Sequence, residues 1–352
     1  PGHIRDEGIY SLEKGRTFYT SNAGLKELKV EICNYLKRRF DLTYDYAKEV
    51  LVTVGGSEAI DIALRTMVNP GDEVLIPQPS YVSYEPCAIL ADAVPVIINL
   101  KAENEFRLTA QELRDAITDK TKVLVLPFPN NPTGAIMERE DLEAIAEVIL
   151  EKDLFVISDE IYEHINYVGA HQSLAQFPSI RERIVIINGV SKGYAMTGWR
   201  IGFIAAPLWI AKACNKLQGQ YTSGASSIAQ KAAAAAFAGE QGCVETMRQA
   251  FQHRRDLVVR LAKEIPGLKV NDPQGAFYLF PEVSHYLGKS DGERKINTSS
   301  DLAMYILEVG HVATVAGDAF GAPNYLRLSY ATSEENITEA MRRMKEVLAR
   351  LK

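Results

Sequence analysis

Residues 50–68 read VLVTVGGSEAIDIALRTMV and combine a predicted β-strand with a predicted α-helix. The strand, Val50–Val54, is a short apolar run rich in β-branched side chains, and apolar residues recur at helical spacing over Ser57–Val68. Between them, Gly55 and Gly56 permit a tight turn. A strand that leads through a short turn into a helix is the repeating unit of α/β proteins.

Six further apolar runs alternate with helical patterns along the chain. The predicted strands after the first are Glu73–Pro77, Val94–Leu100, Lys122–Pro127, Leu154–Ser158, Arg183–Asn188 and Ile201–Ala206. The clearest helical patterns between the strands are Ser57–Val68, Glu138–Glu151 and Leu208–Gln218. This alternation predicts an α/β fold with a doubly wound, mostly parallel sheet of seven strands covered by helices on both faces.

The chain length indicates a second unit. With 352 residues, of which 47% are hydrophobic, the chain exceeds the size at which a single core stops growing. A long helical pattern over Glu240–Ile265 is interrupted at Pro266 and Gly267, and mixed strands and helices follow as far as the amphipathic segment Ser333–Leu351. We therefore expect a smaller α+β C-terminal domain.

Composition narrows the class of function. The net charge of −6 provides no basic surface for nucleic acid, and no basic amphipathic helix indicates a membrane surface. No apolar run approaches the roughly 20 residues that a membrane helix needs. The cysteines are scattered and the six histidines lack metal-ligand spacing, so we expect reduced thiols, a cytoplasmic location and no metal. A small-molecule enzyme is the resulting prediction.

The segment SKGYAMTGWR, residues 191–200, suggests the cofactor. Lys192 can form a Schiff base with an aldehyde, while the Ser191 hydroxyl and the Arg200 guanidinium can hold a phosphate. Together these groups predict pyridoxal phosphate. Taken alone, Lys192 would be interpreted as a solvated surface lysine.

Ligands of such sheets gather at the carboxyl ends of the strands, where two further motifs lie. In GGSEAI, the backbone amides of Gly56, Ser57 and Glu58 can form a phosphate seat at a helix start, with an ordinary glycine turn as the alternative. In PSYVSY, the Tyr81 ring can stack on a planar cofactor, with core packing as the alternative.

Two more strand ends carry polar groups suited to the same cofactor. Asn131 in PFPNNPTG can donate to a phenolate oxygen, although an Asx-turn would also explain it. In ISDEIY, Asp159 can pair with a protonated ring nitrogen and make the ring an electron sink, and Tyr162 follows three residues later. The alternative for Asp159 is a helix cap.

The motifs together resemble those of the class I and II aminotransferases of fold type I, the aspartate aminotransferase superfamily. GGSEA, PSYVSY, NNPTG, SDEIY, SKGYAMTGWRIG and RLSYA occur in that family's order and at its approximate spacings. The resemblance implies a large cofactor-binding domain over residues 19–258, a small domain over residues 259–352, and a remnant of the N-terminal arm or small domain over residues 1–18. The rest of the arm and a glycine-containing pocket segment would precede Pro1.

The resemblance also implies roles for individual residues. Lys192 would bind the cofactor as a Schiff base and then move the substrate proton, assisted by Asp159 at the ring nitrogen. Tyr162 would donate to the phenolate oxygen. Further cofactor contacts are implied for Gly56, Ser57, Glu58, Tyr81, Asn131, Ser191 and Arg200.

A substrate carboxylate would be clamped by Arg327, with Asn131 and Tyr81 nearby. The alternation of Leu326, Arg327 and Leu328 sends the arginine to the strand face opposite its neighbours, although a structural ion pair is the alternative. The family also implies a homodimer with shared active sites, in which Tyr19 reaches the neighbouring subunit's phosphate. Tyr19 is otherwise interpreted as a surface aromatic residue.

The substrate is suggested by QYTSGASSIAQ, residues 220–230, which is similar to the prokaryotic aspartate aminotransferase branch. We therefore expect transfer of the amino group of L-aspartate to 2-oxoglutarate, giving oxaloacetate and glutamate. Aromatic amino acids, alanine, prephenate or a diaminopimelate derivative are alternative substrates, and a lyase or synthase of the same fold is an alternative reaction. A cofactor-sensing domain of a transcription regulator is a third possibility, but no basic helix-turn-helix precedes Tyr19.

Overall fold

The computed structural model describes the whole chain, Pro1–Lys352, and places seven strands in one sheet. The strands are β1 Val50–Val54, β2 Glu73–Gln78, β3 Val94–Asn99, β4 Thr121–Leu126, β5 Phe155–Asp159, β6 Ile184–Gly189 and β7 Ile201–Ala205. Their order across the sheet is β1-β7-β6-β5-β4-β2-β3. Each end lies within one residue of the end predicted from the sequence.

The sheet is parallel from β3 through β6, and β7 runs antiparallel to both of its neighbours. Adjacent residues of a strand point to opposite faces, so Leu124 and Val125 belong to two different apolar cores. A sheet buried on both faces explains why its strands consist of nearly continuous apolar residues. The prediction of a doubly wound, mostly parallel sheet is confirmed.

Eleven α-helices surround the two sheets of the molecule. They are α1 Gly2–Glu13, α2 Lys26–Phe40, α3 Gly55–Met67, α4 Tyr84–Leu90, α5 Ala110–Ala116, α6 Arg139–Lys152, α7 Leu208–Tyr221, α8 Ser227–Ala238, α9 Gly242–Lys263, α10 Ser299–Gly310 and α11 Glu334–Leu348. Helices α3, α4 and α7 bury apolar side chains on one face of the seven-stranded sheet, and α2, α6 and α8 do so on the other. No helix is both long and apolar enough to cross a lipid bilayer.

A second, antiparallel sheet lies in the C-terminal part of the chain. It consists of β8 Tyr278–Leu279, β9 Val315–Ala316 and β10 Leu326–Ser329, in the order β8-β10-β9. Side chains of α9, α10 and α11 form a separate core with it, and Tyr162 and Ile165, from the loop after β5, extend into that core. The two units are therefore in direct apolar contact.

Two chain segments bear on the predicted division into domains, which remains a prediction. Helix α9 continues through residue 258, so the predicted boundary between residues 258 and 259 lies inside a helix. Helix α1 lies within residues 1–18 and packs against α8. Its Ile4 is buried in the same apolar core as side chains of the seven-stranded sheet.

One backbone contact positions the end of β1 beside β7. A Cβ atom at Gly202 in β7 would lie 2.5 Å from the carbonyl carbon of Gly55 and 2.6 Å from the nitrogen of Gly56. Backbone atoms cannot move aside as a flexible side chain can, so only glycine fits at position 202 without displacing the turn between β1 and α3.

We predict that Gly202→Ala lowers the free energy of unfolding by about 1–3 kcal/mol, because the added methyl group overpacks a backbone contact. The matched control is Gly242→Ala at the start of α9, where an added Cβ meets nothing within 4 Å. The control should change stability by less than about 0.5 kcal/mol. Urea denaturation followed by circular dichroism measures both, and equal midpoints for the two variants would contradict the prediction.

Candidate active site

Ten of the twelve predicted site residues line one cavity at the carboxyl ends of the parallel strands. The cavity has a volume of about 320 Å³, which is within the usual range for small-molecule sites. The ten residues are Gly56, Ser57, Tyr81, Asn131, Asp159, Tyr162, Ser191, Lys192, Arg200 and Arg327. The fold therefore brings residues from six separate sequence motifs to one place.

One end of the cavity is suited to an anion. Helix α3 begins at Gly55, two residues before the predicted start, and no side chain caps it at Val54, so its first amides are available to a ligand. Gly55 has φ = 75°, and a Cβ there would lie 2.3 Å from Nη2 of Arg200, so the glycine makes room for the guanidinium. Arg200 Nη1 donates to the Thr197 carbonyl at 3.0 Å, and Ser191 is buried nearby.

Two predicted residues lie outside the cavity in the single chain. The Glu58 carboxylate accepts hydrogen bonds from the Val54 nitrogen at 2.5 Å and the Thr222 hydroxyl at 2.6 Å, so only its backbone amide remains for a phosphate. Tyr19 is fully exposed and lies at a separate surface groove formed with residues 222–228.

Asp159 ends β5 and is 6% exposed. Its Oδ2 accepts from the Tyr84 hydroxyl at 2.7 Å and its Oδ1 accepts from the Ile161 nitrogen at 3.2 Å. Burial raises the pKa of Asp159, and the hydrogen bond from Tyr84 opposes that increase. No helix begins directly after Asp159, so helix capping does not explain this residue.

Lys192 is partly buried and lines the cavity, with its Nζ 5.5 Å from the centre of the Tyr162 ring and 5.7 Å from that of the Phe277 ring. Burial lowers the pKa of Lys192; the charges of Arg200 and Arg327 lower it further, and Asp159 opposes them. A lower pKa increases the fraction of neutral amine near pH 7, and only the neutral amine is a nucleophile or a base.

Arg327 lies on β10 between two buried leucines and points to the opposite face. Its Nη1 donates to Oδ1 of Asn131 at 2.9 Å, and its Nε is buried without a hydrogen-bond partner. The guanidinium carbon lies 4.5 Å from the ring centre of Tyr278 and 4.8 Å from that of Phe320. Arg327 forms no salt bridge within the chain, so the ion-pair alternative does not hold, and its donors suit a carboxylate ligand.

The charges of the cavity favour an anionic ligand. Lys192, Arg200 and Arg327 face it, with Asp159 as the acidic partner. A ligand phosphate matches the uncapped amides of α3 and the guanidinium of Arg200, for which Gly55 leaves space. A carboxylate on a second ligand matches the unpartnered Nε of Arg327. These observations fit pyridoxal phosphate and an amino acid.

Comparison with known proteins identifies the family. The model of the family "Aminotransferase class I and II" matches residues 3–344. The chain belongs to the class I and II aminotransferases. A bifunctional aspartate aminotransferase and glutamate/aspartate-prephenate aminotransferase from Petunia hybrida is 45% identical over 359 residues, covering 100% of this chain and 74% of the relative.

Solved aminotransferase structures share the fold of this aminotransferase over nearly its whole length. An aspartate aminotransferase from Rhizobium meliloti superimposes with a TM-score of 0.96 at 38% identity, covering 100% of this chain and 89% of that one. An aromatic aminotransferase from Pyrococcus horikoshii gives 0.93 at 41% identity, covering 99% and 92%. The fold-type I architecture and the aminotransferase class predicted from the motifs are confirmed.

The cavity of this aminotransferase also contains residues that the sequence analysis missed. Tyr84 donates to Asp159, and its ring meets the Tyr81 ring edge-on at 5.6 Å. Its three-residue spacing from Tyr81 in PSYVSY was an available signal, because this spacing places side chains on one side of a helical turn. Tyr278, whose hydroxyl lies 2.8 Å from that of Tyr162, had no comparable signal. The other missed lining residues are Ile60, Pro127, Pro129, Ile161 and Thr197.

We predict that Asp159→Asn raises the thermal midpoint of the cofactor-free aminotransferase at pH 7.5. A buried carboxyl whose pKa is raised destabilises the fold once it ionises, so the variant removes that penalty. The gain should shrink as the pH falls below the raised pKa of Asp159, and it should disappear below about pH 3, where the aspartate of the parent protein is protonated in both the folded and the unfolded chain.

The same variant should transaminate at least about 100-fold more slowly, because it cannot hold a proton on a ring nitrogen. Asp119→Asn, at an exposed loop position, serves as the control and should alter neither property. A thermal midpoint for Asp159→Asn below that of the parent at pH 7.5 would contradict the prediction, because it would mean that the carboxylate stabilises the cofactor-free protein.

Proposed function

We propose that this aminotransferase uses pyridoxal phosphate to transfer the amino group of L-aspartate to 2-oxoglutarate, giving oxaloacetate and glutamate. One observation carries the proposal: a partly buried amine with a lowered pKa, Lys192, and a buried carboxylate, Asp159, face the same cavity between two arginines. An amine and an acid so placed can act on the two ends of a planar cofactor while the arginines hold the anionic groups.

The residues that would hold the cofactor surround the cavity. Arg200, Ser191 and the amides at the start of α3 would bind the phosphate, because each offers a donor to an anion. Asp159 would keep a proton on the ring nitrogen, and the Tyr162 hydroxyl would donate to the ring oxygen. When bound, pyridoxal phosphate supplies a ring that accepts the electron pair released at the substrate α carbon.

Lys192 would carry the proton during transfer. Its Nζ must be neutral to accept the proton from the α carbon, and burial together with Arg200 and Arg327 lowers its pKa in that direction. The rings of Tyr162 and Phe277 lie beside the amine, with their centres 5.5 Å and 5.7 Å from Nζ. Lys192 would therefore act first as nucleophile toward the cofactor and then as the base.

Arg327 would bind the α-carboxylate shared by every amino-acid substrate. Its unpartnered Nε needs an acceptor, and a carboxylate provides two oxygens for the planar guanidinium. Because Asn131 accepts from Arg327 through Oδ1, its Nδ2 remains free to donate into the cavity. Tyr81, which is only partly buried, would stack on the ring.

A homodimer is part of the proposal. Phe18 and Tyr19 are 80% and 102% exposed, although large aromatic side chains are usually covered. A second subunit that covers them would carry Tyr19 toward its neighbour's phosphate. Each site would then contain residues of both chains.

The choice of aspartate rests on the relatives. The proteins from Petunia hybrida and Rhizobium meliloti are named for aspartate, which supports this donor first. The aromatic aminotransferase from Pyrococcus horikoshii, at 41% identity, supports aromatic amino acids as the second candidate.

We predict that Lys192→Ala eliminates both the visible absorption of protein incubated with pyridoxal phosphate and all measurable transamination, because no other cavity residue carries an amine. Lys212→Ala, at an exposed position of α7, is the matched control and should preserve both signals. Absorption and gel filtration after removal of free cofactor give the first readout. Transamination by Lys192→Ala at a rate similar to the parent would overturn the assignment.

The donor is tested by a panel of amino acids with 2-oxoglutarate, measured as oxo-acid formation. We expect kcat/KM for L-aspartate to exceed that for phenylalanine, tyrosine and alanine by about tenfold or more, which corresponds to about 1.4 kcal/mol. A diaminopimelate derivative completes the panel of donors. Prephenate is an oxo acid, so it is tested as the acceptor in place of 2-oxoglutarate, and ammonia release would reveal a lyase. A higher kcat/KM for phenylalanine than for aspartate would contradict the proposal of aspartate and favour an aromatic amino acid as the donor.

A further inference from the structure

Tyr278 contacts two residues with different proposed roles. It opens β8 and pairs with Ser329 of β10, so its side chain shares a sheet face with Arg327, two residues before Ser329. The Arg327 guanidinium carbon lies 4.5 Å from the centre of the Tyr278 ring. Phe320 provides a second ring at 4.8 Å. The arginine is therefore held by these two aromatic rings and by its hydrogen bond to Asn131, and not by a carboxylate.

The Tyr278 hydroxyl makes a separate contact. It lies 2.8 Å from the hydroxyl of Tyr162, and the two side chains are 6% and 5% exposed. Burial raises the pKa of both phenols, so both stay protonated at neutral pH. Neither hydroxyl has another hydrogen-bond partner in the chain. If Tyr162 donates its proton into the cavity, only Tyr278 can donate across the 2.8 Å contact.

We propose that Tyr278 is a positioning residue that couples the substrate end of the site to the cofactor end: its ring holds Arg327 in place and its hydroxyl donates to Tyr162. The inference rests on the proposed function, in which Arg327 binds the substrate carboxylate and Tyr162 donates to the cofactor's ring oxygen. Tyr278 itself lies on the C-terminal sheet, whereas Tyr162 follows β5 of the seven-stranded sheet. The contact therefore joins the two sheets at the site.

The two contacts of Tyr278 predict separable effects. A hydroxyl that accepts a hydrogen bond becomes a stronger donor, so Tyr278 strengthens the donation from Tyr162. With pyridoxal phosphate bound through Lys192, negative charge on the ring oxygen would help to keep a proton on the nitrogen that Lys192 contributes. Loss of the Tyr278 hydroxyl leaves more charge on that oxygen, so the nitrogen should release its proton at a higher pH. Loss of the ring should instead weaken carboxylate binding.

The test compares three variants of the full-length protein loaded with pyridoxal phosphate. Tyr278→Phe keeps the ring and removes the hydroxyl, whereas Tyr278→Leu removes both. Tyr330→Phe is the matched control, because Tyr330 forms another buried hydroxyl pair, with Tyr167 at 3.3 Å, and does not line the cavity. The readouts are the pH midpoint of the visible absorption band and KM for 2-oxoglutarate.

We expect Tyr278→Phe to raise the absorption midpoint by about 0.5–1 pH unit, the size expected for one hydrogen bond, and to change KM by less than about twofold. Tyr278→Leu should show the same spectral change and a KM higher by about threefold to thirtyfold. Tyr330→Phe should match the parent in both. In a Tyr162→Phe background, Tyr278→Phe should no longer move the midpoint.

Two results would overturn the inference. One is a Tyr278→Phe midpoint equal to that of the parent, and the other is an equal rise of KM in Tyr278→Phe and Tyr278→Leu. Failure of the proposed function looks different, because the parent itself would then show no visible band or no transamination. A parent that binds the cofactor and transaminates therefore makes the Tyr278 variants a test of the coupling alone.

Discussion

The contact between β7 and the turn after β1 is the constraint on which the candidate site depends. Gly202 passes so close to Gly55 and Gly56 that no Cβ atom fits between the two backbones. This contact keeps the start of α3 beside the chain that leads into β7, where Arg200 lies. A guanidinium is thereby held next to uncapped helix amides, and the two together form an anion site that neither segment forms alone.

The charges of the cavity oppose folding and favour ligands. Burial makes the ionised form of Asp159 and the protonated form of Lys192 less favourable, and two arginines face the same space. Tyr84 offsets part of this cost for Asp159 through its hydrogen bond. Perturbed pKa values of this kind are concentrated at functional sites, where activity commonly comes at a cost in stability.

The C-terminal sheet completes the site from the other side. Arg327 reaches the cavity from β10, and Tyr278 reaches it from the neighbouring strand β8. Aromatic contacts hold the arginine without neutralising it, so its charge remains available to a carboxylate. Because Tyr278 also touches Tyr162, the placement of the C-terminal sheet affects groups at both ends of the proposed cofactor.

The sequence by itself determined the strands, the family and ten residues of the cavity, because these depend on local patterns. Apolar runs such as Val123–Leu126 are visible in a single sequence, and parallel strands place their carboxyl ends at one edge. Only the tertiary structure decided that Tyr84 donates a hydrogen bond to Asp159 and that Tyr278 contacts both Arg327 and Tyr162. These contacts link residues far apart in the chain. A sequence pattern does not distinguish a tyrosine whose hydroxyl contacts a site residue from a tyrosine that only packs in the core. Their roles follow from distances that no local pattern contains.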